Sequence, residues 1–244
     1  MEFLEITTGA PAPIAFCKAL AGMHDSSISP TGKFGFHMTT CHGPHPQNLE
    51  WEGSWCVFYT RLLRQFFEKE IRMSGSTKDG VYEATFEEMV RHTIPLILEP
   101  LQSHGRVLKA SLVHGDLWEE NCGTELHTNQ PKIFDAAVFY GHNEYDLGMW
   151  HRDAFRFGEP HIRQYLEHMP PSEPIDQWGD RHRLYSIKFE IAHAIGWPIS
   201  HGRQRELIMA DMNYLNERYR VKSAKRQNVA STGSSRMSHE ANLS

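Results

Sequence analysis

Leu112-Val113-His114-Gly115-Asp116-Leu117-Trp118-Glu119-Glu120-Asn121 is the stretch of this 244-residue chain that decides its fold. A short apolar run, Leu108 to Val113, reads as a strand that ends at His-Gly-Asp, and an asparagine follows Asp116 five residues on. Cys122 to Leu126 and Lys132 to Phe134 read as two more short strands, the last closing on Asp135. Strand ends and one loop then converge three oxygen-bearing side chains. Phosphoryl transfer to a hydroxyl uses such a set: a carboxylate beside the attacking hydroxyl, and an amide with a second carboxylate to hold magnesium across phosphates. Asp116 suits the first role, and Asn121 and Asp135 suit the metal pair. The competing reading is a pair of Asx turns, because Asp and Asn are favoured in tight loops for their own backbone hydrogen bonds.

Helical patterns flank this strand region. Pro11 to His24 carries prolines where a first turn tolerates them, then Phe16, Leu20 and Met23 at helical spacing. Residues 25–49 read as an irregular connection with an aromatic knot at Phe34 and Phe36. Trp51 to Arg72 shows a broad apolar face, from Trp55 through Phe58, Tyr59, Leu62, Leu63 and Phe66 to Phe67. Val81 to Gln102 predicts a helix kinked at Pro95. Beyond Tyr145 the pattern predicts helices over 145–157, 161–168, 180–195 and 203–219, and Val221 to Ser244, poor in large apolar residues, predicts a disordered tail.

Composition narrows the function classes. Apolar residues make up 40% and charged residues 23%, which suits a globular chain. A net charge of −5 argues against nucleic acid or an anionic membrane as the main partner, since both reward clustered positive charge. The longest apolar runs, such as Ile94 to Leu98, are far short of the roughly 20 residues a bilayer span needs. Acids at Glu2 and Glu5 do not fit a secretory leader, and four cysteines without a C-x-x-C pair suit reduced thiols, so the expected location is the cytoplasm.

The quoted stretch, together with Ile133-Phe134-Asp135 through Tyr140-Gly141-His142-Asn143-Glu144-Tyr145-Asp146-Leu147 and the upstream Phe34-Gly35-Phe36 with Trp51 to Phe58, resembles the fructosamine (ketosamine, ribulosamine) 3-kinase family. That family is similar to aminoglycoside phosphotransferases and choline kinases. The resemblance runs from Met1 to about Tyr219, with Ala136 departing from the proline common after the metal aspartate. It implies an α+β, mainly helical fold: residues 1–9 as a hinge-like segment, 10–220 as the helical C-terminal lobe of a protein-kinase-like fold with a strand insert at about 107–135, and 221–244 as tail. It further implies ATP and Mg2+ as cofactors, and as substrate a ketoamine on glycated lysine, free or in protein. Phosphorylation would fall on the sugar C3 hydroxyl, which labilises the adduct and frees the amine. Asp116 would be the base and His114 its support; Asn121 and Asp135 would bind metal and phosphates, and Glu2, Phe3 and Leu4 would meet the nucleotide. Glu144 and Asp146 would line the acceptor side or cap a helix starting near Tyr145. Trp118 would stack on substrate or plug the core.

The family's smaller lobe supplies a lysine, its glutamate and a loop over the phosphates, and the resemblance aligns Met1 to Glu5 with the hinge that follows it. Neither G-x-G-x-x-G nor G-x-x-x-x-G-K-[ST] occurs in the sequence. The expectation is therefore a chain lacking that lobe, with weak turnover at most. The alternative is a non-catalytic protein that binds ketoamines or a partner. A third reading, a metal-dependent phosphohydrolase, would use His24, Asp25, His114, Asp116 and Asp135, and Cys41-His42-Gly43-Pro44-His45 could be drawn as half a zinc site or as a structured loop.

Overall fold

The computed structural model describes residues 4–152, 156–197 and 201–240, with side chains as far as Lys222. In chain order come β1 (Ile6–Thr8), α1 (Pro13–Ser26), β2 (Cys41–His42), β3 (His45–Pro46), α2 (Trp55–Ser74), α3 (Val81–Glu88), α4 (Ile94–Leu98) and β4 (Ser111–Val113). They are followed by β5 (Cys122–Glu125), β6 (Pro131–Ile133), β7 (Phe139–Gly141), α5 (Glu159–His168), α6 (Trp178–Gly196) and α7 (His201–Glu240). The architecture is α+β and mainly helical.

Helix α2 starts later than its apolar pattern suggests. Glu52 pairs with Phe34 in an isolated bridge, and the Ser54 hydroxyl accepts from the Val57 N–H, so Ser54 is the cap. Its apolar face, Trp55 to Phe67, is buried throughout and forms the centre of the aromatic core with Tyr145 and Tyr185. The helix expected over Val81 to Gln102 is interrupted twice. Pro95 lacks an N–H, and ahead of it Met89–Thr93 widens into a π turn in which the Ile94 N–H reaches the Met89 carbonyl; Glu99–Gln102 then tightens to 3-10 geometry.

Three small sheets carry the loops of interest. β4 pairs antiparallel with β7, Leu112 opposite Tyr140. β5 lies between β1 and β6, with Cys122 opposite Ile133. The strand region thus extends past the expected limit of 135 to Gly141, and the expected hinge-like segment contributes an edge strand, β1, because Ile6 to Thr8 pair with Glu125 to Gly123. Glu2 and Phe3 lie outside the described residues; Leu4, half-buried, lies two residues before β1.

The helix expected over 145–157 is instead a 3-10 segment, Asn143–His151, buried from Asn143 to Trp150. Its acidic side chains bond to other elements rather than to its own turns. Gly148 lets α6 come close: a Cβ there would lie 2.7 Å from the Tyr185 Cβ. At the other end, the backbone of α7 stays helical to Glu240 where a disordered tail was expected from 221. Among the described residues, its buried apolar side chains are Ile208, Met212, Leu215 and Tyr219.

Candidate active site

The loop after β4 is held from below by Asp146. Its two carboxylate oxygens accept from the backbone N–H groups of His114 (2.7 Å) and Gly115 (2.8 Å), and the His24 Nε2 lies 3.1 Å from the first of these oxygens. Burial pushes the Asp146 carboxyl up, but the His24 hydrogen bond and charge and the loop N–H donors outweigh it and hold the group below its ordinary value. Gly115 has φ +81°, and a Cβ there would stand 2.4 Å from the Ala137 carbonyl oxygen, so the turn requires glycine.

His114 ties the loop to the neighbouring hairpin. Its Nδ1 accepts from the Asp116 N–H at 3.3 Å, which leaves Nε2 to donate to the Phe134 carbonyl at 2.9 Å. The Cys122–Ile133 pairing brings Asn121, just before β5, and Asp135, just after β6, to one end of that hairpin. Asn121 donates through Nδ2 to the Asp116 carbonyl (2.9 Å) and to the Asp116 carboxylate (3.2 Å). Asp135 is exposed at φ +56°, a conformation rare outside glycine and often found at functional sites. Burial raises the Asp116 carboxyl above its ordinary value, Lys188, His114 and Asn121 pull it back, and the nearby Asp135 charge adds to the rise.

A cavity of about 840 Å³ opens beside this loop, between the β2–β3 hairpin and α6. Asp116, Trp118, His42, Glu120, Phe189 and Trp197 are among the residues that line it. Trp118 thus packs against the core and also lines the cavity, where the sequence posed these as alternatives.

Glu144 and Asp146 do not face an acceptor: both are fully buried. Glu144 takes a two-pronged bond from Arg181, at 2.6 and 3.0 Å, and accepts the Ser172 N–H at 2.7 Å. Neither caps its own segment; each braces another part of the fold. The metal readings based on histidine fail for a similar reason. His24 is taken up by Asp146 and by the Tyr165 hydroxyl, 2.7 Å from Nδ1. The 41–46 segment is a hairpin in which Lys188 approaches His42 Nδ1 at 2.9 Å and Lys69 approaches His45 Nδ1 at 2.5 Å.

Sequence reasoning misses Lys188 and reads His42 only as part of a half zinc site or a structured loop; the fold brings the two together beside Asp116. Lys188 occupies the stripe Leu184, Lys188, Ile191, Ile195, where every other member is apolar and buried. A lysine in register with an apolar stripe was the available signal. It was obscured because α6 is buried on nearly all sides and shows no clear polar face.

The oxygen donors fit magnesium shared with phosphates. Among the described residues no three His, Cys, Asp or Glu side chains cluster as a metal site; the Asn121 amide oxygen and the Asp135 carboxylate make no hydrogen bond there, and hard, uncommitted oxygens of this kind suit that ion.

The sequence model of the fructosamine kinase family matches residues 1–214. The chloroplastic protein-ribulosamine 3-kinase of Oryza sativa subsp. japonica is 30% identical over 186 residues, 76% of this chain and 51% of the relative. The ketosamine-3-kinase of Mus musculus is 35% identical over 118 residues, 48% of this chain and 35% of the relative. This chain therefore spans about half the length of the rice relative. A crystal structure of a candidate fructosamine-3-kinase from Thermobifida fusca superposes with a TM-score of 0.64 at 21% identity, covering 89% of this chain and 69% of that one, and so shares the fold. With the His-Gly-Asp loop joined to Asn121, and Asp135 at the same end of the β5–β6 hairpin, and with the family model matching residues 1–214, the chain belongs to the fructosamine kinase family.

Proposed function

We propose that this chain serves transfer of the terminal phosphoryl group of ATP to the C3 hydroxyl of a ketoamine, the adduct a sugar forms on a lysine amine. The observation that carries the reading is the Asp116 carboxylate in the cavity lining, hydrogen-bonded to Asn121 and within reach of the charge of Asp135, which has no hydrogen-bond partner among the described residues. Asp116 takes the hydroxyl proton as the oxygen attacks phosphorus. Its raised affinity for a proton, set by burial, suits a general base. Asn121 and Asp135 would hold magnesium, which would neutralise charge on the phosphates. His114 keeps the loop registered against Phe134. Trp118 and Phe189 offer flat apolar walls to the sugar ring and the lysine stem.

No helix among the described residues is long and apolar enough to cross a membrane, and the four cysteines are free, which supports action in a reducing, ATP-containing compartment such as the cytoplasm. The cavity lining, with Trp118 and Phe189 beside Asp116, would equally serve a second reading, in which the chain binds the ketoamine without transferring phosphate.

The test is to incubate the chain with magnesium, ATP and a ribulosyl- or fructosyl-lysine peptide and to follow a phosphate-mass gain on the peptide. Asp116→Asn is expected to lower transfer by at least about a hundredfold while leaving the circular dichroism unchanged. Full activity in that variant overturns the assignment. Peptide binding by the unaltered chain without transfer supports the second reading.

A further inference from the structure

Lys188 is fully buried in the middle of α6, at a position where leucine would complete an apolar stripe. Its ammonium sits over three rings, Phe66 at 4.5 Å, Phe189 at 4.9 Å and Tyr145 at 5.8 Å. Among the described residues no carboxylate lies within ion-pair distance of it; its hydrogen-bond partner is the His42 Nδ1, at 2.9 Å. A buried charge without a directly bonded counter-ion is destabilising. Packing alone does not account for it, since an unbranched apolar side chain would fill the same volume without the charge.

What lies beyond His42 accounts for it. The Nε2 of the same ring is 3.5 Å from the Asp116 carboxylate. Phe66 lies edge-on to the imidazole at 5.8 Å and Phe189 is tilted at 6.2 Å, which restricts its rotation. The hairpin and the helix meet only in the fold, so the chain Lys188, His42, Asp116 joins three distant parts of the sequence.

We propose that Lys188 and His42 are positioning residues for Asp116, the buried ammonium donating to Nδ1 and so fixing the imidazole with its proton on Nε2, aimed at the loop that carries the acceptor-side carboxylate. Burial, then the Lys188 charge, keeps His42 well below the ordinary imidazole range, so the ring is neutral and has one proton to place. The other charged or titratable groups acting on the pair are Asp116 and Asp146, which favour the ammonium, and His45 and His114, which bear on His42. This rests on the reading of Asp116 as base for its catalytic consequence, but the tautomer assignment stands apart from it.

Two measurements test it on the full chain. In the first, nitrogen-15 spectra of the histidine rings, assigned with His42→Gln, should show His42 in the Nε2–H form at pH 7 and Lys188→Met should mix its tautomers. In the second, Lys188→Met and His42→Gln should each lower kcat for ketoamine phosphorylation by about tenfold to a hundredfold, with KM for ATP changed less than about twofold. His42→Gln, on the hairpin, keeps the question open to test if Lys188→Met does not fold. An unchanged His42 signal in Lys188→Met overturns the proposal whether or not the chain transfers phosphate. Unchanged kcat in His42→Gln overturns the positioning role. If the unaltered chain fails to transfer phosphate, the kinase reading fails and the ring spectra still decide the Lys188–His42 contact.

Discussion

Replacing Asp146 by asparagine probes the support of the His-Gly-Asp loop with almost no change of shape. One carboxylate oxygen of Asp146 accepts from Gly115, and the other accepts from His114 and faces His24, all without access to water. Hydrogen bonds to a buried charge contribute about 1.5–3 kcal/mol each. An asparagine can present one oxygen; its NH2 must then face either the Gly115 donor or the His114 and His24 donors. At least one strong bond is lost and a donor is left opposed to a donor, so the expected destabilisation is about 3–5 kcal/mol. For a chain of this size that lowers the unfolding midpoint by roughly 10 °C. Urea unfolding at pH 7 followed by circular dichroism measures the first quantity, and ketoamine phosphorylation at saturating ATP measures the displacement of Asp116. The pH dependence adds a sign. Because the folded state holds the Asp146 proton more weakly than the ordinary value of 3.8, its stabilisation is complete above that value and is lost as pH falls through the lower folded one. The difference between the two proteins should therefore shrink below about pH 4. A loss under about 1 kcal/mol at pH 7 with undiminished transfer would refute the idea that Asp146 sets the loop.

Two further outcomes follow from the same geometry. Gly115→Ala should lose about 2–4 kcal/mol and most of the transfer activity, because the methyl meets the Ala137 carbonyl at 2.4 Å and φ is +81°; a variant with native melting behaviour would contradict this. Burial pushes the Lys188 ammonium down from 10.5 to about 7, with Asp116 and Asp146 opposing the shift, so unfolding takes up a proton between those values and stability should rise with pH across that window and level off above it. The rise, of the order of a few kcal/mol, should be absent from Lys188→Met, and parallel pH profiles for the two proteins would count against a perturbed lysine.

Local sequence carried much of this. The α2 stripe from Trp55 to Phe67 is legible because a buried helix face repeats every three to four residues, and that rule needs no partner to apply. Pro95 announced an interruption for an equally local reason, the missing N–H, although not the π turn by which the backbone accommodates it. The three-residue strands β1 and β7 were not legible, because so short a run has no period and exists only through its partner. The two roles open in sequence for Glu144 and Asp146, lining the acceptor side or capping a helix, both give way to a third for a related reason: an acid near such a motif looks the same in sequence whether it faces substrate, its own turn, or Arg181 and the loop N–H groups.

By itself the sequence determined the chemistry available, since His114, Asp116, Asn121 and Asp135 lie within 22 consecutive residues and their order already implies a loop between strand ends. Tertiary structure alone decided which groups surround that chemistry. His24, His42, Asp146 and Lys188 come from α1, the hairpin, the 3-10 segment and α6, and nothing in their spacing predicts that they meet. The physical reason is that spacing along the chain dictates contacts only over a few residues. The fit of the buried faces of α2 and α6 against the strand loops dictates the rest, including a buried lysine whose charge reaches the carboxylate through one histidine ring.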